Sequence, residues 1–205
     1  MKLRALGLGL ICLLTLAGTS LADTVTLTGA GPANQGGVYV YPYTLNINGT
    51  SYAGICDDYS HEVYIGESWT ANIYTMGQYL QARFGTQTNA GTEYNEAAWL
   101  FSQIGSAPSS EVGDINFAIW SLFTPSTPVQ PVTGTLLGSQ YWLNVAGKQA
   151  FTPGEFDNYR IVTPVATGPS SPQEYLITVP EPSSLLMLGS GLIGLAGLFK
   201  KKFLS

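Results

Sequence analysis

The stretch that decides the fold is residues 37–56, GVYVYPYTLNINGTSYAGIC, in which tyrosine, valine, threonine and isoleucine are frequent. These aromatic and β-branched residues favour strands, and Asn48-Gly49 is typical of a two-residue hairpin turn. We therefore predict two antiparallel strands that meet at this turn. The turn also sets the register, which pairs Ile47 with Thr50, Leu45 with Tyr52, Tyr43 with Gly54 and Tyr41 with Cys56.

Further strands are predicted on both sides of this hairpin. Residues 24–28 alternate between threonine and an apolar residue, which indicates an edge strand. Pro42 has no backbone N–H to donate, so the first hairpin strand is also predicted to lie at an edge there. Near the C-terminus, residues 156–165 and 174–179 are predicted to be strands that return to the sheet.

Between these strands the apolar residues follow helical spacing, which predicts three helices and a weaker fourth that begins near Ser139. The three apolar stripes are Ile73, Met76, Leu80 and Phe84 before Gly85; Tyr94, Ala97, Ala98, Phe101 and Ile104 between Thr92 and Gly105; and Val112, Ile115, Ala118, Ile119 and Leu122 between Ser109 or Ser110 and Pro125. Strands and helices are segregated along the chain. This order predicts an α+β domain with hairpin strands, three or four central helices and C-terminal strands.

Composition excludes several classes of protein. Of the 205 residues only 10% are charged, against about 25% in an average protein. Residues 23–178 contain three cationic side chains and twelve acidic ones, so we predict one acidic domain that nucleic acid would repel. Two cysteines are too few for a disulfide framework or a cysteine-based zinc finger.

The N-terminus resembles a secretory signal peptide. Lys2 and Arg4 precede an apolar run over residues 5–16, and Ser20-Leu21-Ala22 places small residues where signal peptidase cuts. We predict a signal peptide over residues 1–22, which signal peptidase removes. Cys12 lies inside this segment and would leave with it.

The C-terminus has three parts in a fixed order. The triplet Pro180-Glu181-Pro182 is followed by a glycine-rich apolar run over residues 184–199 and then by Lys200, Lys201 and Lys202. The apolar run predicts a transmembrane helix, and the lysines favour its cytoplasmic end. The domain at residues 23–178 is therefore predicted to lie outside the cytoplasm, with the membrane as a partner of residues 179–205.

This tail resembles the PEP-CTERM sorting signal of Gram-negative bacteria. The resemblance implies processing by exosortase, a membrane-embedded cysteine peptidase, and delivery to the cell surface or extracellular matrix. A plain C-terminal membrane anchor is the alternative.

The densest cluster of reactive groups in the domain is residues 56–62, CDDYSHE. Cys56 and His61 form one candidate, a nucleophile activated by imidazole. The side chains of Asp57, Asp58, His61 and Glu62 form a second candidate, a calcium-type site that lacks the regular spacing of an EF-hand. A third reading is structural, in which Cys56 is a small buried core residue beside a solvated turn.

A second resemblance concerns residues 54–58, 97–100 and 115–120, which recur in this order in PEP-CTERM surface proteins. The last block also resembles the Thr-Gln-x-Ala-Ile-Trp signature of thioester domains in Gram-positive adhesins. That resemblance puts Cys56 at the thiol position, Asn116 at the glutamine position, and Ala118 and Trp120 at packing positions. Asn116 is one methylene shorter than glutamine, and Ile115 replaces threonine.

These observations favour a non-enzymatic surface or matrix protein with a role in structure, adhesion or biofilm. No cofactor is predicted, and the expected ligand is a surface polysaccharide or a protein. A secreted hydrolase that uses Cys56 or an acid pair, and a calcium-stabilised binding module, are the alternatives.

Overall fold

The predicted hairpin is present in the computed structural model, which describes residues 22–31, 34–129 and 138–180. Its strands are β4 (Tyr43–Ile47) and β5 (Thr50–Cys56) in our numbering. The register is the predicted one for three pairs, with Tyr43 opposite Gly54, Leu45 opposite Tyr52 and Ile47 opposite Thr50. The predicted pair of Tyr41 with Cys56 is wrong, because β4 begins at Tyr43. Asn48 and Gly49 both have positive φ, at 49° and 91°, which is the backbone that an Asn-Gly turn supplies. Local turn chemistry is therefore sufficient to fix this part of the fold.

Six antiparallel strands close into a barrel in the order β1-β4-β5-β8-β7-β6. The bounds of the remaining four are β1 (Asp23–Ala30), β6 (Ser68–Thr75), β7 (Tyr159–Pro164) and β8 (Tyr175–Thr178). A separate two-stranded ribbon joins β2 (Asn34–Gln35) to β3 (Val38–Tyr39). The two predicted C-terminal strands are thus present, although β7 begins three residues later than expected.

The two edge predictions are wrong because the barrel is closed. Strand β1 pairs with β4 on one side and with β6 on the other. Strand β4 lies between β1 and β5, and Pro42 does not interrupt it because the strand begins one residue later. The Pro42 carbonyl accepts a hydrogen bond from Gly31, so this residue belongs to the approach to the barrel.

The first predicted helix is also wrong. Residues 68–75 form β6, and only a 3-10 helix follows it, over Met76–Gln81. Trp69 and Ala71 alternate with exposed residues and are buried inside the barrel, whereas the helical spacing that begins at Ile73 combines the end of a strand with a short turn. Pairing with β1 and β7 gives this segment partners that helical spacing does not reveal.

The other helical predictions are confirmed, with three helices packed on the outside of the barrel. They are α1 (Ala90–Gln103), α2 (Val112–Phe123) and α3 (Gly138–Ala146), and a 3-10 turn over Ser109–Glu111 leads into α2. The domain is therefore α+β. The apolar faces of α1 and α2 bury the outer side of the barrel, where Ile55, Ile161 and Leu176 pack against them.

A second apolar cluster fills the barrel itself. It includes Val25, Leu45, Val162 and Tyr175 from the strands, and Phe117 and Trp120 of α2 pack into it. Because successive strand residues alternate in direction, Tyr175 points into this cluster while Leu176 points out towards the helices. The helical layer and the barrel interior are therefore held by the same strands.

The strand register defines two ends of the barrel. One end carries the Asn48-Gly49 turn, the first residue of β1 and Thr178, the last residue of β8. We call it the tail end, because the chain leaves it towards the C-terminus. The opposite end carries Cys56, the last residue of β5, and its partner Tyr175, the first residue of β8. We call it the far end.

The two sequence termini fall mainly outside the described residues. The predicted signal peptide lies there except for Ala22, and so do Glu181, Pro182, the apolar run and Lys200, Lys201 and Lys202. Within the described part of the chain, no helix is long and apolar enough to cross a membrane.

Candidate functional site

Cys56, the only cysteine of the domain, is part of the barrel interior. Its side chain is fully buried, and its Sγ lies 3.4 Å from the backbone nitrogen and 3.3 Å from the carbonyl oxygen of Asp58. Burial raises the pKa of the thiol, and the neighbouring carboxyls of Asp58 and Asp57 raise it further. A thiol that is enclosed and kept protonated is a core residue rather than a nucleophile.

Asn116 joins helix α2 to the hairpin through its side-chain amide. The Nδ2 atom donates to the carbonyl oxygen of Cys56 at 3.0 Å, and Oδ1 accepts from the Tyr41 backbone N–H at 2.9 Å. The structure therefore places the Asn116 amide against the backbone of Cys56. Both ends of the amide are occupied by backbone groups, which supports a structural bracket.

We expect the Cys56 thiol to react with an alkylating reagent only after unfolding, because no part of its side chain reaches solvent. The intact mass of the folded chain should be unchanged by iodoacetamide and by methylamine, and one alkyl group should add in denaturant. A folded mass lower by one ammonia and restored by methylamine would contradict this structural assignment.

An ion pair and a histidine lie directly after Cys56, at the far end of the barrel. Arg83 donates from one guanidinium nitrogen to the fully buried Asp58 carboxylate and from the other to the Ser171 hydroxyl at 2.6 Å. His61 Nδ1 lies 2.9 and 3.0 Å from the two oxygens of Asp58 and 3.0 Å from the Arg83 guanidinium. A carboxylate only accepts hydrogen bonds, so the Nδ1 atom of His61 carries a proton. His61 and Arg83 therefore both donate to Asp58. Nε2 of His61 has no partner among the residues described.

Glu174 holds the same cluster from strand β8. Its carboxylate accepts from the Tyr94 hydroxyl at 2.5 Å, from the Arg83 backbone N–H at 2.9 Å and from the Thr163 hydroxyl. Three converging donors stabilise the ionised form, although burial raises the pKa of Glu174 overall. Arg83 is thus tied by its backbone to Glu174 and by its side chain to Asp58.

Asp57 is the exception in this cluster. It is fully buried, and neither of its carboxyl oxygens has a hydrogen-bond partner in the described ranges. Burial raises its pKa far above the usual range, and the nearby Glu174 and Asp58 carboxylates add to the effect. Since Glu174 has the donors and Asp57 has none, Glu174 carries the negative charge and Asp57 keeps a proton.

The acidic segment does not form a metal site in the part of the chain that the structure describes, where no three His, Cys, Asp or Glu side chains converge for a metal ion. Asp58 is engaged by Arg83 and His61, and Asp57 points into the protein. Glu62 is exposed and accepts from the Tyr64 hydroxyl at 2.8 Å. The four candidate ligands therefore lie in three separate environments: Asp58 beside His61, Asp57 in the interior, and Glu62 at the surface.

Above this cluster lies an open cleft of about 470 Å³, within the range of small-ligand sites. Thr163 and the following loop, residues 164–168, form one wall. Gly168 has a φ of 99° and turns this loop back, so that Ser171 reaches Arg83. The polar side chains that line the cleft are His61, Asn72, Tyr74, Gln81, Arg83, Thr163, Thr167 and Ser171.

Sequence reasoning found part of this site and missed the rest. Asp58 and His61 stood out because reactive residues are dense there, and the structure does bring them together. Arg83 lies 25 residues after its partner Asp58, and Glu174 lies 91 residues after its partner Arg83. One signal was available: Arg83 is the only cation of an acidic domain before Lys148, so it was the natural partner for a buried carboxylate.

Comparison with known proteins bears on the tail. The family model described as the PEP-CTERM protein-sorting motif matches residues 178–202, beginning at the last residue of β8. Pro180, the first residue of the triplet, is exposed just beyond that strand. No curated protein and no solved structure matches the chain. The chain therefore carries a PEP-CTERM protein-sorting motif, which indicates export and exosortase-dependent sorting to the cell surface.

Proposed function

We propose that the chain is a non-enzymatic structural or adhesive module of the cell surface or extracellular matrix, which uses its cleft to bind a ligand. Signal peptidase would remove residues 1–22, and residues 179–205 would hold the precursor in the membrane until exosortase acts. The domain over residues 23–178 would then act outside the cytoplasm.

The observation that carries this proposal is the position of the cleft relative to the sorting motif. The motif begins where β8 ends, at the tail end of the barrel. His61 and Ser171 of the cleft lie just beyond strand ends at the far end, and Asn72 and Tyr74 line the cleft from the outer side of β6. A domain held through its tail end presents its far end away from the membrane, where it can contact another surface.

Binding is favoured over hydrolysis by the burial of the reactive groups. Cys56, Asp57 and Glu174 have no exposed surface, so none of them can touch a substrate in this conformation. His61 is 20% exposed at the side chain, and its Nδ1 is engaged by Asp58. These contacts give the cluster a role in shaping the cleft.

Deletion of the gene is expected to reduce the attachment of cells to each other or to their matrix, and the wild-type chain should restore it. A chain in which Pro180, Glu181 and Pro182 are replaced by alanine should remain a membrane-bound precursor and should not restore attachment. The measurement is the retained cell mass after washing, together with the fraction of the protein found in the membrane and at the surface.

Replacement of Gln140 by alanine is the matched control, because this exposed residue of α3 lies outside the cleft and the motif. It should restore attachment fully. Unchanged attachment in the deletion strain would contradict the adhesive role, and attachment restored by the triplet variant would contradict its dependence on sorting.

A further inference from the structure

Several polar groups that line the cleft have no hydrogen-bond partner among the residues described. The side-chain amides of Asn72 and Gln81 and the hydroxyl of Tyr74 make no hydrogen bond to any residue that the structure describes. Asn72 and Tyr74 are two residues apart on β6, so both project from the outer side of the barrel. Each amide offers both a donor and an acceptor, which makes the cleft suited to a ligand rich in both.

The wall of the cleft carries little net charge. Arg83 is its only permanently cationic side chain, and the Asp58 carboxylate neutralises it from below. No aspartate or glutamate lines the cleft. The wider domain is acidic and repels polyanions. An uncharged ligand is therefore favoured over an anionic or a cationic one.

The barrel offers no edge for an extended peptide. Each of its six strands has a hydrogen-bonded neighbour on both sides, so a peptide strand cannot be added to this sheet. Apolar groups supply more of the cleft surface than polar ones do, and they include Ala82, Ala166, Pro164 and Val165 beside the Tyr74 ring. One aromatic ring among amides and hydroxyls suits the mixed polar and apolar faces of a sugar ring better than an apolar peptide anchor.

We propose that this cleft binds an uncharged saccharide unit of a surface polysaccharide, with Asn72 and Gln81 as its hydrogen-bonding residues and Tyr74 as the ring that packs on the sugar. The proposal rests on the adhesive function above and names its ligand class. The Asp58, Arg83 and His61 cluster positions the wall and does not supply the binding charge.

The test is the affinity of the full chain, purified in detergent, for defined oligosaccharides measured by isothermal titration calorimetry. The probes are neutral oligomers of glucose, galactose and mannose, cationic glucosamine oligomers and anionic uronate oligomers. At least one neutral oligomer should bind, and the charged ones should bind more weakly. The double substitution Asn72→Ala and Gln81→Ala should lower the affinity for the neutral oligomer about tenfold, since the hydrogen bonds of both amides to the sugar are lost.

Gln140→Ala is the control and should bind like the unaltered chain, with the melting temperature of all variants compared to exclude unfolding. Preferential binding of a charged oligomer, neutral binding that survives the double substitution, or no neutral binding by the folded chain would each overturn the proposal. These results are separable from the adhesive function, because attachment that depends on the gene but not on Asn72 and Gln81 would leave adhesion standing and refute only the saccharide cleft.

Discussion

Replacement of Arg83 by methionine is expected to lower the free energy of unfolding by about 3–5 kcal/mol, the range found when one partner of a buried ion pair is removed. The Arg83 side chain is only 13% exposed, and the Asp58 carboxylate it neutralises is fully buried. Methionine keeps most of the aliphatic volume but leaves the Asp58 carboxylate with only His61 and the Ser60 backbone N–H as hydrogen-bond partners. The Ser171 hydroxyl also loses its guanidinium donor.

Urea denaturation of the full chain at pH 7, followed by tryptophan fluorescence, measures this loss. Arg160→Met is the matched control: its guanidinium bonds only to the carbonyl oxygens of Asp157 and Tyr159, at 2.6 and 2.7 Å. The control substitution should lower the free energy of unfolding by less than about 1 kcal/mol, as expected near the protein surface. If the two variants lost equal stability, the buried ion pair of Arg83 and Asp58 would not stabilise the fold more than the Arg160 contacts do.

The second large effect concerns pH. The pKa of Asp57 is raised by burial and by the Glu174 and Asp58 carboxyls, and that of Glu174 is raised by burial. A raised carboxyl pKa in the folded state means that stability is fully present below the ordinary pKa of about 4 and falls as the pH rises through the folded value. Each such group contributes a slope of about 1.4 kcal/mol per pH unit within this window.

The chain should therefore be more stable near pH 4 than near pH 8, and Asp57→Asn should flatten the profile and raise the stability at pH 8. Denaturation midpoints across this range provide the measurement. Asp157→Asn, on a turn at the protein surface, is the control and should leave the profile unchanged. A stability that rises with pH, or a profile that Asp57→Asn does not alter, would show that Asp57 is not a buried protonated acid.

The parts of the fold that sequence predicts are those set by neighbours in the chain. The Asn48-Gly49 turn fixes its own register, and the apolar stripe of α1 needs only helical spacing and the stop near Gly105. Strand β6 is different, because its partners β1 and β7 lie far away on either side in sequence. The same distance hid the closure of the barrel, which leaves no edge for Pro42 to occupy.

The site follows the same rule. Residues 56–62 are conspicuous, yet their chemistry depends on residues that folding brings to them. Cys56 is a barrel residue because it is the last residue of β5 and pairs with β8. Asp58 is an ion-pair partner because Arg83 reaches it from another segment. Asn72 and Gln81 gave no signal at all, since an isolated amide on a strand or a turn is ordinary until a cleft forms beside it.

The attachment assay, with one further strain, tests directly whether the domain attaches cells through this cleft. The deletion strain carrying Asn72→Ala and Gln81→Ala is compared with the strain carrying Gln140→Ala, at equal amounts of protein on the surface. The cleft variant should attach as poorly as the deletion strain, and the control should attach like the wild type. Equal attachment by the two strains would contradict a surface module that binds its ligand in this cleft.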